Sequence, residues 1–312
     1  MNPQFLDLLG KSEKLADAHK IQSARAIYDE MIALDFDPET QALNLYNSAV
    51  FHMDYLVDGV KAVDLFDKTY QHYANHPEIN SLPKIGEFLA YTCENRMLLS
   101  LSYDEYDLWA DRLRALRPDE AILLGQVPII HEKREAGMPW SDMVQMIATS
   151  YYNRNDPQLD PGLYGRAAGV YQLLLENRRK LRLNREDWAK VVYEFGALLE
   201  KLNMECMRAM EEANQIYPDE CLFYLELARN RVDEFLQSNQ PSDTITFLSN
   251  SIDKMLEMSA QGNRGLAPAD ISIPFGERDI RSMPKLSILS CLPTLALIGV
   301  IIYVFGKFFS WW

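Results

Sequence analysis

DPETQALNLYNSAVFHM, residues 37–53, reads as one helix with a marked start. Asp37 supplies a side-chain acceptor ahead of Pro38, and proline suits the first helical position, where no N–H is needed. Leu43, Tyr46, Ala49, Val50 and Met53 then fall at i, i+3, i+6, i+7 and i+10, an apolar stripe of helical period. Strand-like alternation is scarce elsewhere, and the same start signal recurs at Asn2-Pro3 and Asp160-Pro161. Ser102-Tyr103-Asp104-Glu105 fits a capping box. Asn184 precedes Arg185, Glu186 and Asp187, which puts two carboxylates in a first turn, where the helix dipole favours them. The expectation is an all-α body, residues 1–258, of about thirteen helices, each roughly 12 to 20 residues long.

The helix breaks are spaced. They end at Pro38, Pro77, Pro118, Pro157 and Pro218, at intervals of 39, 41, 39 and 61 residues. A period near 40 with two helices per unit points to an α-solenoid-like array of helical hairpins. Residues 188–218 form the fullest unit. There Tyr193, Ala197, Ala213 and Pro218 fall near the large, small, small and proline positions of tetratricopeptide repeats. Ala24 with Tyr28, and Ala62 with Phe66, repeat the small-then-large step. The body thus resembles a degenerate tetratricopeptide-repeat-like array, with an irregular helical bundle as the alternative. The resemblance implies a scaffold whose surface holds a peptide or helix of another protein.

Residues 286–306 carry no charged side chain. As a helix this run is about 31 Å long, close to the hydrocarbon thickness of a bilayer. Its lipid-facing residues are Leu286, Leu289, Leu292, Leu295, Leu297, Ile298, Val300, Ile301, Ile302, Val304 and Phe305. Lys285 and Lys307 bracket it, and Phe308, Phe309, Trp311 and Trp312 suit the headgroup level. Residues 285–312 are therefore expected to be a C-terminal transmembrane anchor, similar to that of tail-anchored membrane proteins. Arg278, Arg281 and Lys285 precede the span, so the positive-inside bias puts the N-terminal side in the cytoplasm. Residues 259–284, rich in Gly, Pro, Ala and Ser, read as a flexible linker with an end-to-end distance of about 25–30 Å.

The formal net charge is −14. From Asn263 onward five basic residues face three acidic ones, which leaves −16 on residues 1–262. Nucleic-acid phosphates repel such a body, and a partner of basic character complements it. Cys93, Cys206, Cys221 and Cys291 form no C-x-x-C pair, as expected for free thiols in a reducing compartment. No motif for catalysis, cofactor or metal stands out. His131-Glu132-Lys133-Arg134-Glu135 lacks the second imidazole of a zinc-protease helix, and His72 with His76 lacks a third ligand. One basic cluster interrupts the acid: Arg178, Arg179, Lys180, Arg182 and Arg185. It reads either as charge complementing a helix C-terminus or as an anion contact for lipid headgroups. The function expected is a membrane-anchored scaffold that recruits a protein partner. The alternatives are a membrane-perturbing effector with a self-associating span, and a helical enzyme of unrecognised type.

Overall fold

The computed structural model describes residues 2–79, 83–116, 126–152, 161–212 and 218–260. Among them are twelve α-helices, one 3₁₀ turn (Pro77–Ile79) and no strand, so the fold is all-α. The helices are α1 (Pro3–Asp17), α2 (Ile21–Ala33), α3 (Pro38–Asp54), α4 (Gly59–Asn75), α5 (Pro83–Leu98), α6 (Tyr103–Leu116), α7 (Val127–Glu135), α8 (Trp140–Tyr152), α9 (Pro161–Glu176), α10 (Arg185–Glu212), α11 (Pro218–Ser238) and α12 (Asp243–Ala260). All belong to the first of two units, Met1–Arg264, into which the chain divides. The expected linker 259–284 contributes its first two residues to the end of α12; the rest of it, the anchor 285–312, Pro118 and Pro157 lie outside the described residues.

The helix starts follow the local chemistry. Asn2 Oδ1 accepts the backbone N–H of Gln4 at 2.8 Å. Asp37 accepts the N–H of Thr40 at 3.0 Å and its hydroxyl at 2.7 Å. Ser102 Oγ accepts the N–H of Glu105 at 3.1 Å, and Glu105 reaches back to the N–H of Leu101 at 2.8 Å rather than to that of Ser102. Asn184 Oδ1 accepts the N–H of Asp187 at 2.9 Å.

The forty-residue rhythm corresponds to helical hairpins. α1 packs on α2, α3 on α4 and α5 on α6, each pair with extensive contact. Packing then departs from a line. α8 docks on the α5–α6 turn, where the Trp140 indole donates to the Ser100 carbonyl at 2.8 Å and its ring meets Tyr103 and Tyr106. α9 packs on α8 and also returns to α3 and α4. The helices from α3 to α9 therefore close a circuit, whereas a solenoid unit touches only its neighbours. α2, which carries α1, packs on α3, and α10, α11 and α12 continue from α9.

Small residues make the closure possible. A Cβ on Gly165 would lie 1.5 Å from the Asp54 carbonyl oxygen, and one on Gly59 would lie 2.3 Å from the Gly169 carbonyl oxygen. Backbone meets backbone there, which only glycine permits. Arg166 locks the crossing with a two-pronged pair to Asp54, at 3.1 and 2.9 Å. The Tyr224 hydroxyl of α11 donates to the Tyr55 carbonyl at 2.7 Å, just past α3.

Two sequence expectations change. α3 is buried well beyond one stripe: Thr40, Asn44, Ser48 and His52, four residues apart, are buried as well as Leu43, Ala49 and Met53. That polar row faces protein because α3 has neighbours on several sides. Within residues 188–218, expected to be a two-helix unit, residues 188–212 are one continuous stretch of the 28-residue α10. After Gly196 the chain offers strong helix formers and no proline until Pro218. Gly196 marks a close crossing: a Cβ there would meet Leu248 of α12 at 2.6 Å.

Candidate functional site

The basic cluster lies at the turn between α9 and α10, and its five cations divide by role. α9 ends at Glu176, so the arginines follow the helix rather than occupy its last turn. The N–H of Leu183 donates to the Arg178 carbonyl at 3.1 Å, closing the turn, and Arg182 sits in the left-handed region with φ of 54°. Leu181 packs against the core and holds the turn down.

Arg178 is a structural residue. Its guanidinium donates to Glu234 at 2.6 Å and lies 4.0 Å from the centre of the Trp188 ring. Arg231 joins the same group by pairing with Glu234 at 2.7 Å and with Glu176. Trp188 meets Phe235 edge-on at 5.5 Å. Arg185 donates to the Gln240 carbonyl at 3.2 Å and thereby ties the start of α10 to the α11–α12 turn. A shallow recess of about 290 Å³ opens beside it, lined by Arg185, Glu186, Ala189, Phe235, Gln240, Pro241 and Ser242. Arg179, Lys180 and Arg182 are exposed, and among the described residues none of them has an ion-pair partner. They form three free cations on a rigid, hydrogen-bonded turn.

The other candidate residues are engaged elsewhere. His131 contacts an Asp107 carboxylate oxygen at 2.7 Å, and Arg134 spans Asp104 and Asp107, so the charged run of α7 pins that helix to α6. His72 donates to the Pro38 carbonyl at 2.9 Å and His76 pairs with Glu78 at 3.0 Å, which commits a nitrogen of each ring. Among the described residues no group of His, Cys, Asp or Glu is arranged to hold a metal ion. Cys93 is buried, and burial pushes its thiol up to about 12, far from the reach of a nucleophile at neutral pH.

His52 of α3 was not singled out by sequence. It is 5% exposed, and neither ring nitrogen has a hydrogen-bond partner. Its Nδ1 lies 3.9 Å from Asp58, which also caps α4 by accepting the Lys61 N–H at 2.9 Å. Burial holds this imidazole below its ordinary value of 6.5. Only its four-residue spacing from Thr40, Asn44 and Ser48 could have flagged it.

Among the described residues no helix is long and apolar enough to cross a membrane. The anchor residues and their interfacial neighbours, Lys285 to Trp312, lie outside those residues. No protein-family model, curated protein or solved structure matches the chain.

Proposed function

We propose that the chain is a membrane-anchored helical scaffold that recruits a protein partner to a membrane surface. The observation that carries this is the uncharged run of residues 286–306, bracketed by Lys285 and Lys307. Such a run has the length of a bilayer's apolar interior and lacks the polar face that a helix packed on a soluble body keeps. The body supports the reading in a second way. Its hairpins leave large apolar side chains in water, among them Leu108 of α6, Ile129 of α7 and Met146 of α8, each about half exposed. Confinement to a surface raises local concentration, so modest affinity for a peptide or helix is enough.

Alkaline extraction of membranes from cells expressing the full chain tests the anchor. The chain stays in the pellet, and deleting residues 285–312 releases it as a folded, helical protein. Full-length chain in the alkaline supernatant, dispersed as a monomer, sinks the proposal. In-cell crosslinking of the full chain then tests recruitment: one protein crosslinks reproducibly, and its capture survives the deletion in lysate.

A further inference from the structure

We infer that the α9–α10 turn is a headgroup-contact surface, which docks the body on an anionic membrane through Arg179, Lys180 and Arg182. The inference rests on the membrane-anchored reading and deepens it.

Charge separation comes first. Residues 1–262 carry −16, so an anionic leaflet repels most of this body. The turn is the exception: three exposed cations occupy four consecutive positions, and none is spent on an internal ion pair. Of the nearby carboxylates, Glu234 is taken by Arg178 and Arg231, and Glu176 by Arg231, while Glu186 and Asp187 in the first turn of α10 oppose the cations. Residues 178–187 hold five cations against these last two carboxylates, so the turn keeps a net positive charge. A basic side chain near an anionic leaflet contributes about a fivefold preference, and three give roughly 100-fold before the acidic remainder is opposed. About tenfold net is a reasonable expectation.

Geometry makes the docking reachable. α12 begins beside this turn, because Gln240, three residues before it, accepts from Arg185. It runs 18 residues, so the described chain ends about 27 Å away, at Ala260. As coil, the 24 residues from 261 to 284 would have a typical span of about 25–30 Å. That reach matches the length of α12, so an anchored body can lay the turn on the leaflet without stretching its tether. Leu181 N–H donates to the Asn177 carbonyl at 3.0 Å and Leu183 N–H to the Arg178 carbonyl at 3.1 Å, so the backbone that carries the three cations is tied down.

The test uses full-length chain in vesicles of phosphatidylcholine alone or with about one-third phosphatidylserine. Flotation reports the anchor, and amide hydrogen exchange of the peptide spanning residues 177–184 reports the turn. The chain floats with both vesicles, and the turn exchanges about tenfold more slowly on the anionic ones. Raised salt abolishes the difference. So does the triple variant Arg179→Gln, Lys180→Gln, Arg182→Gln, which still floats; Arg179→Lys with Arg182→Lys keeps the protection, because the contact is one of charge. A chain that floats with neither vesicle overturns the anchor. A chain that floats with both while its turn exchanges alike overturns this inference alone. Protection by soluble heparin or an acidic peptide, but not by anionic vesicles, also overturns it and assigns the turn to a soluble polyanion.

Discussion

His52 is an ionisable group held in the body without a hydrogen-bond partner for either nitrogen. Loss of water, the largest influence, disfavours the proton together with Lys61 and Arg25, and prevails over Asp58 and Asp29, which favour it. Its folded pKa lies below 6.5, so the unfolded chain binds the proton more readily. Stability contributed by the neutral ring is complete above that pH and declines as pH falls through it. Urea midpoints measured between neutral pH and mildly acid pH should fall, and His52→Leu should remove that part of the slope. An unchanged slope in His52→Leu would show that the ring has another route to solvent. Arg96 is the opposite case, a buried charge with every need met. It is 3% exposed, donates to Asp67 at 2.7 Å, pairs with Glu105 and lies 4.9 Å from the centre of the Trp109 ring. Arg96→Met keeps the volume but strands two carboxylates. Because both carboxylates are partly solvated, the cost expected from urea unfolding is about 2–3 kcal/mol, below the loss for a fully buried pair.

At the scale of the helix, glycines separate by context. Gly86 of α5 and Gly165 of α9 both lie inside helices, and sequence alone treats them alike. An added Cβ at Gly86 meets nothing within 4 Å, so Gly86→Ala should stabilise by about 0.5–1 kcal/mol through helix propensity. Gly165→Ala drives a methyl into the Asp54 carbonyl and must part α9 from α3, at a cost of more than about 3 kcal/mol. Thermal melts of the two variants should therefore move in opposite directions. Helix starts were readable beforehand because a cap is a local contract between neighbours: Asn2, Asp37, Ser102 and Asn184 each accept the N–H expected of them. Proline spacing likewise marked the first three hairpins. The return of α9 to α3 was not readable, since it joins Asp54 to Arg166 across 112 residues. The continuity of α10 was hidden for a different reason: a repeat pattern of two helices per unit asks for a turn between Ala197 and Ala213, where the chain offers mainly strong helix formers instead. Within the basic cluster, sequence gave five equivalent cations, and only the position of Glu234 and Gln240 separates Arg178 and Arg185 from the free three.

Across the whole body, a closed circuit of helices behaves differently from a stack. A linear stack can open anywhere, because each unit answers only to its neighbours. Here α9 is held by α8, α10, α3 and α4 together, whereas α12 is held mainly by α10 and α11. Amide exchange by mass spectrometry should find α3 and α9 among the last segments to open and α12 among the first, with a free-energy gap of about 2 kcal/mol or more. An α9 that exchanges as fast as α12 would mean that the glycine-lined crossing does not hold the circuit. The stacked pair of Arg178 and Trp188 has a further use. Its indole is half-buried and stacks on a guanidinium that also pairs with Glu234, and Arg178 directly precedes the free cations. Any ligand that competes for that guanidinium changes the electric field on the ring, so in a variant whose other four tryptophans are replaced by phenylalanine the emission colour of Trp188 gauges occupancy without an attached dye.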